Sequence, residues 1–497
     1  MSAIPERPDA VAAPAARRRD YLLMVAIGAF ATTFAQQRST FGNYPILFLL
    51  KERLHFGREQ VAEFFMWATF AWSMKPLAGV LTDAFPIRGS RRRAYLMLGG
   101  VLGGSAWALL GFVTGSYHLF LLVSILLNVG LVLASTAMGG LQVEAGQLFG
   151  LSGRISSLRQ VVVSIALVAG PLLGGWLAKK AFGYTAGVGT LVMLALVTFA
   201  RFGFKETAPR ASPGERAPDR RAPDRTPGDD APRYRPSAAT WIGVGILVAA
   251  ATGSVLVHGM LNVGLSLFAM AAVFLFVLAL AMTRVRNPVL RQAQRQLSQI
   301  LRSRALWLAA GMLFLVYVVP GLNTALTYRQ SDELHFSKEL IGRLASVEGA
   351  AGIAFALVYA VICSRFNLRA LIVFSIAANA AGTLLFLSYT ASDAYAVHAV
   401  TGALSVLSEL SLMDLAVRST PRGCEGLGFA LMMSVRNFGI AMSDVIGSKL
   451  MDQAHFSFTT LVLINAGTTA AVLLFVPALP KALVLRKEGE QPAQTTT

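Results

Sequence analysis

Apolar runs of about 20 residues, the length that crosses a hydrocarbon core of about 30 Å, recur along this chain with short polar connections between them. Read as helices, which satisfy their own backbone hydrogen bonds in lipid, they give about fourteen spans. Six lie at 21–50, 60–81, 94–113, 118–141, 155–177 and 184–203, two at 241–257 and 260–283, and six at 305–327, 341–363, 369–390, 394–418, 426–450 and 456–479. The run 21–50 is too long for one straight span and is expected to break at Gly42 and Pro45.

The polar segments complete the plan. Residues 1–20 read as a cytoplasmic tail, 21–203 as an N-terminal transmembrane half, and 204–240, rich in Arg, Asp and Pro, as a polar cytoplasmic linker. An extra transmembrane hairpin follows at 241–283, then 284–304, where Leu290, Leu297 and Leu301 alternate with Arg291, Arg295, Arg302 and Arg304 as in a basic amphipathic surface helix. A C-terminal transmembrane half at 305–479 and a cytoplasmic tail at 480–497 close the chain. Arg17, Arg18 and Arg19 ahead of an apolar run look like an export signal, but no small-residue cleavage site follows, so the first helix is expected to be retained.

An internal repeat argues for two halves. Lys51-Glu-Arg-Leu-His-Phe-Gly-Arg-Glu-Gln-Val61 parallels Gln330-Ser-Asp-Glu-Leu-His-Phe-Ser-Lys-Glu-Leu340, each after an overlong run interrupted by Gly or Pro. The expected fold class is therefore an all-α membrane protein of two six-helix halves with an extra hairpin between them.

Composition sharpens this. At 55% hydrophobic and 14% charged residues, with mean hydropathy +0.58, the chain lacks the polar surface of a soluble protein. Its net charge of +18 does not point to nucleic acid, because Lys and Arg fall in the connections between spans, where they mark the cytoplasmic side. The two cysteines, Cys363 and Cys424, have no metal or redox spacing, so neither a disulfide framework nor a metal or cofactor is expected. The six histidines, His55, His118, His258, His335, His398 and His455, fall at the opposite ends of spans and are read as interfacial anchors ahead of pH sensors.

Ionisable groups within spans are expensive and therefore informative. Gln36, Gln37 and Arg38, with Thr32, Thr33 and Asn43, form a polar seam at helical spacing that suits contact with a substrate cavity, although helix-to-helix hydrogen bonds would also explain it. Asn323 and Asn437 are further binding candidates, and Arg159 and Gln160 suit a cavity entrance. Glu348, Glu409 and Asp414 are candidate proton carriers. Counting about 1.5 Å per residue from their helix ends places Glu409 and Arg436 at a similar depth, roughly 14 Å in. Either an anion site with proton exchange or a permanent structural pair fits that match. Trp176 and Trp307 suit interface anchors, whereas Trp67 and Trp72 stay undecided between stacking on a ligand and packing.

Between the spans at 60–81 and 94–113 stands Gly79-Val-Leu-Thr-Asp83-Ala-Phe-Pro-Ile-Arg-Gly89-Ser-Arg91-Arg92-Arg93. A glycine for close helix approach, an acid at the helix end and arginines beyond it can form a gating charge relay, and the stretch resembles the loop signature of the major facilitator superfamily. Gly170-Pro171-Leu-Leu-Gly174-Gly175 is similar to the glycine-proline motif of that superfamily's proton-coupled exporters. Lys75-Pro76-Leu-Ala-Gly79, the loop from Asp83 to Leu96, and Glu425-Gly-Leu-Gly-Phe-Ala-Leu-Met-Met-Ser434-Val-Arg-Asn437-Phe-Gly439 together resemble the folate-biopterin transporter family. In one place the chain departs: the span at 118–141 has Ser135 and Gly139 where that family carries acids, with Glu144 kept.

The resemblance implies a secondary active transporter working by alternating access, with folate or a pterin as its solute. The expected coupling is to protons, and the expected setting is a bacterial-type inner membrane with both termini cytoplasmic and the chain monomeric. A muropeptide-type permease or an exporter of organic anions or drugs are the alternatives. A membrane-embedded transferase is a third, but it would need clustered acids or a His-Glu-x-x-His helix, and the sequence has neither.

Overall fold

The structure, a computed structural model, describes residues 15–84, 87, 90, 92–149, 152–204, 241–242, 245, 248–249, 252, 261–282, 288–421, 424–485 and 487. The polar linker after Phe204, most of the first arm of the hairpin, residues 1–14, 486 and 488–497 of the tails, His258 and Arg91 lie outside the described residues. Apart from one isolated bridge between Ile87 and Ser90, the regular elements among the described residues are helical. Nine of the described helices are long and apolar enough to cross a membrane.

Eight α-helices form the first stretch: α1 Ala15–Phe34, α2 Asn43–Phe48, α3 Arg58–Ala68, α4 Lys75–Ala84, α5 Arg93–Leu110, α6 Tyr117–Phe149, α7 Ser152–Leu177 and α8 Phe182–Thr198. Ten follow: α9 Leu261–Met282, α10 Pro288–Arg302, α11 Arg304–Val318, α12 Asn323–Tyr328, α13 Lys338–Ile362, α14 Leu368–Thr383, α15 Ala394–Ser419, α16 Glu425–Asp452, α17 Phe458–Ala471 and α18 Lys481–Val484. The chain forms two compact units, one of Met1–Glu206, Leu326–Val361 and Ala381–Leu407, the other of Thr207–Ala325, Ile362–Ala380 and Ser408–Thr497.

In the first unit α5 packs on α6 and α8, and α1 packs on α6 and α7. In the second, α11 packs on α16, and a core of Leu306, Leu313, Ile372, Leu412, Met432 and Val476 joins α11, α14, α15 and α16 to the chain after α17. Amphipathic α10 buries Ile300 and Leu301 and leaves Arg295, Gln299 and Arg302 exposed, while Arg291 is half-buried and Arg304 opens α11. Trp307, expected as an interface anchor, instead donates to Leu301 O at 3.3 Å and meets Phe274 edge-on, because the neighbouring α9 and α10 cover it.

The first long run breaks earlier than Gly42 and Pro45 suggest, whereas the second breaks at its own Pro320 and Gly321. Helix α1 ends at Phe34, residues 35–42 are unwound with Ser39 at φ 70, and α2 restarts at Asn43 with Pro45 in its first turn, where a missing N–H leaves no bond unmade. Gln36, Gln37 and Arg38 therefore lie in the unwound segment, and the expected seam on a continuous helix is not formed. Unwinding frees backbone groups that lipid cannot satisfy, and the neighbours supply partners. Trp107 Nε1 donates to Ala35 O at 3.0 Å, and Thr40 Oγ1 donates to Gln36 O.

The second copy solves the same problem. Between α11 and α12, Ser443 Oγ donates to Val319 O at 2.5 Å, Asn465 Nδ2 to Pro320 O at 2.7 Å and Gly321 N to Ser443 O at 2.8 Å. Each short helix then passes into a π-turn, Leu49–Arg53 after α2 and Arg329–Glu333 after α12. Both end on a histidine in the left-handed region, His55 at φ 54 and His335 at φ 53. In both, the following phenylalanine amide reaches back to the π-turn, Phe56 N to Leu50 O at 3.1 Å and Phe336 N to Gln330 O at 2.7 Å. The sequence repeat is thus a backbone repeat. A third copy of the cap ends α16, with His455 at φ 54 and Phe456 N bonded to Leu450 O at 3.0 Å.

Candidate functional site

Two polar constellations sit within spans, one in each unit. In the second unit, Arg436 Nη2 donates to Glu409 Oε1 at 2.6 Å, and Nη1 lies 3.4 Å from Asn437 Oδ1. The guanidinium carbon stands 5.0 Å from the centre of the Tyr317 ring. The Arg436 side chain is 21% exposed and that of Glu409 41%, while Arg436 Nε is buried with no hydrogen-bond partner. A planar guanidinium held against an aromatic face, with one N–H unused, can bond a carboxylate in the plane of its fork. The depth count for Glu409 and Arg436 ends in contact.

The other candidates on these helices fall differently. Asp414 is held at both oxygens by Arg418, four residues on, at 2.9 and 2.7 Å. Asn323 opens α12 as an exposed residue. Beside it the buried carboxylate of Asp444, which the sequence reading passed over, accepts from Thr324 N at 2.9 Å and Thr324 Oγ1 at 2.7 Å. It caps α12 where the freed amides and the helix dipole both favour an anion.

In the first unit Gln37 is fully buried, donating to Ser124 Oγ at 2.9 Å and accepting from Asn128 Nδ2 at 2.8 Å. Asn128 Oδ1 in turn accepts from Trp72 Nε1 at 2.9 Å. Gln37 and Trp72 therefore join three elements by hydrogen bonds. Gln36 Nε2 donates to Thr32 O at 3.3 Å, and Arg38 lies over the Phe65 ring at 5.7 Å. Lys75, quoted above only as part of a motif, proves to be a cation of this constellation. Its Nζ donates to Ser135 Oγ at 3.2 Å, lies 5.5 Å from the Trp72 ring and feels the charge of Arg159. The signal was available, since Lys75 is an ionisable residue within the apolar run 60–81.

Glu348 Oε2 lies 3.1 Å from His398 Nδ1. His398 itself is only 4% exposed, with Nε2 bonded to neighbours, so it is not the interfacial anchor expected of it: a ring sealed from the surface must find its partners inside.

Among the gating candidates, Gly79 makes no close approach, because an added Cβ would meet Thr136 Cγ2 at an ordinary 3.9 Å. Arg92 packs its guanidinium on Gly140 of α6, and Arg93 Nε donates to Ala200 O at 2.8 Å, closing the π-turn Phe199–Gly203 that ends the sixth predicted span. The Asp83 side chain lies outside the described residues, as does Arg91. The glycines after Pro171 do work as packing sites. A Cβ at Gly174 would sit 2.7 Å from Phe41 O, and one at Gly175 2.6 Å from Lys338 O, so α7 presses on the restart of the first span and on α13.

Helices long and apolar enough to span a membrane, which break where neighbours re-satisfy the backbone, make this a multi-pass membrane protein of the major facilitator fold. Solved structures agree. The D-xylose-proton symporter superimposes with TM-score 0.61 at 12% identity over 96% of this chain and all of its own, and an auto-inhibited POT family peptide transporter with TM-score 0.64 at 13% identity over 95% of this chain and 98% of its own. Residues 39–496 match the BT1 family, and the chain belongs to it. The Folate-biopterin transporter of Synechocystis sp. is 22% identical over 453 residues, 87% of this chain and 76% of that protein. The Probable folate-biopterin transporter 4 of Arabidopsis thaliana is 30% identical over 148 residues, which take in 29% of this chain and 30% of the plant protein.

Proposed function

We propose that this chain imports or exchanges a planar organic anion of the folate and pterin class across a bacterial-type inner membrane, coupled to protons. Arg436 receives the substrate's anionic group, Tyr317 offers a ring against which a planar heterocycle stacks, and Asn437 orients the guanidinium. Glu409 takes a proton when substrate displaces it from Arg436, so binding of anion and proton are linked at one pair. The observation that carries this reading is the contact of Arg436 with Glu409 beside Tyr317, within spans. Arg38, Gln36 and Asn323 serve as secondary contacts, while Gln37 holds helices together. The loop with Asp83, Arg91, Arg92 and Arg93 faces the cytoplasm by its charge, as do both termini, and it gates that side. The chain acts as a monomer.

The test is proton-driven uptake of labelled folate and biopterin into proteoliposomes by the intact protein, Arg436→Ala and Glu409→Gln at matched folded protein. Saturable uptake that is lost in Arg436→Ala and no longer accelerated by a proton gradient in Glu409→Gln supports the reading. Absence of uptake by the folded intact protein overturns the pteridine assignment and directs the assay to muropeptides and other organic anions.

A further inference from the structure

A second cluster of titratable groups lies in the first unit, centred on His398. Glu348 reaches it from α13, Gln330 from the π-turn Arg329–Glu333, and Tyr389 from the segment after Leu384–Ser388. His398 Nε2 lies 3.1 Å from both Gln330 Nε2 and Tyr389 Oη, and Gln330 Nε2 donates to Tyr389 Oη at 2.7 Å. The ring is also edge-on to Tyr389 and Phe386. Tyr44 from α2 senses the charge of Glu348, and Arg329 acts on Tyr389. Among the described residues, Glu348 and Tyr389 are the titratable groups in contact with the imidazole, and Tyr44 and Arg329 lie beyond them.

Both ring nitrogens are therefore occupied, and their partners are not equivalent. A neutral imidazole has one N–H and one lone pair. With the N–H on Nδ1 facing Glu348, Nε2 accepts from Gln330, whose amide already donates to Tyr389. Adding a proton puts an N–H on Nε2 and turns it toward the Gln330 N–H groups. The new N–H has Tyr389 Oη, 3.1 Å away, as its acceptor, but the Gln330 N–H that used the Nε2 lone pair is left facing a donor in a buried site, so Gln330 shifts or turns its amide.

Gln330 is poorly placed to move alone. The next two residues, Ser331 and Asp332, hold Lys51 of the first repeat copy, and Lys338 at the start of α13 holds Glu52 at 2.7 Å. Tyr328, two residues before Gln330, donates to Phe56 O and carries Lys51 over its ring at 4.7 Å. The π-turn that bears Gln330 is thus one side of a charged latch joining the two copies of the repeat.

We propose that His398 with Glu348 is a second proton-binding site, separate from Glu409, and that a proton on His398 releases the latch between the repeat copies through Gln330. The arrangement seen is the latched one. Calling its release an opening rests on the alternating-access reading above, but the conformational change does not require the substrate to be known.

The experiment uses full-length protein in nanodiscs without substrate, with Cys363→Ser and Cys424→Ser and spin labels at Gln60→Cys and Glu333→Cys, one on each side of the latch. Pulsed electron–electron distances are read from pH 8 to pH 5, spanning the ordinary histidine range of about 6.5. The expected result is a short, narrow distance at high pH that gives way to longer ones as pH falls. In Glu348→Gln, which puts a neutral amide where the carboxylate faces Nδ1, the midpoint moves. In His398→Gln the transition disappears, although the exposed His55 and His335 remain. A distance independent of pH in the parent, or a transition unchanged in a His398→Gln protein whose melting temperature shows it folded, overturns the proposal. A failed uptake assay with an intact pH transition would instead overturn the substrate assignment alone.

Discussion

Arg436 and Glu409 face each other from adjacent helices of one unit at 2.6 Å, and the carboxylate is the more exposed partner. That asymmetry decides what each substitution does. Arg436→Ala removes the buried partner, and Glu409 still has space in which to be solvated, so the variant is expected to fold. We expect a double-mutant cycle with Glu409→Gln to give a coupling of about 1.5 kcal/mol, at the low end for a charge-assisted bond, because the exposed oxygen is screened. Thermal unfolding in detergent measures it, and a coupling several times larger would make the pair structural.

Asp444 and Thr324 are buried together. Asp444→Ala leaves the Thr324 amide and hydroxyl without acceptors at the point where the chain restarts after Pro320 and Gly321. The expected cost is about 1–3 kcal/mol, and Asp444→Asn, which keeps one acceptor, loses less. The melting temperatures of the two variants should fall in that order.

The latch pairs are half in solvent: Glu52 is 55% exposed and Asp332 47%. Lys338→Glu is therefore expected to lower stability by less than about 1 kcal/mol. A difference of that size still shifts a two-state equilibrium about five-fold, so transport rate should change several-fold while the melting temperature hardly moves. Exchanging the charges, Glu52→Lys with Lys338→Glu, should restore the rate. Parallel stopped-flow uptake and melting curves test both halves of this statement.

Much of this was legible in the sequence because membranes make two signals loud. Apolar length marks the spans, and the cost of charge in lipid singles out Glu348, Glu409 and Arg436. The Leu-His-Phe repeat was visible as letters, and it turned out to encode a shared backbone: a short helix, a π-turn and a histidine at positive φ. What escaped was decided by partners distant in sequence. The unwinding at 35–42 starts well before Gly42, where Trp107 and Thr40 supply hydrogen bonds in place of the lost helix bonds, and Pro45 was misleading because proline is harmless in a first turn. His398 looked like a surface anchor because nothing local announces that Glu348, Gln330 and Tyr389 converge on it.

That convergence depends on one glycine. Helices α13 and α15 approach so closely at Gly402 that an added Cβ would lie 2.3 Å from Glu348 O and 2.7 Å from Glu348 Cα, both backbone atoms that cannot swing aside. Gly402→Ala must therefore push the helices apart, at an expected cost of about 1–3 kcal/mol. The displacement acts on the residue that holds His398 Nδ1, so the variant should also move the pH midpoint of the latch, as Glu348→Gln does. A helical glycine with open space around it is the control. Gly311→Ala in α11 meets nothing within 4 Å and should be neutral or stabilising by up to about 1 kcal/mol, with the pH response unchanged. If Gly402→Ala lowers the melting temperature and leaves the midpoint in place, close packing at Gly402 serves stability alone and Glu348 reaches His398 without its help.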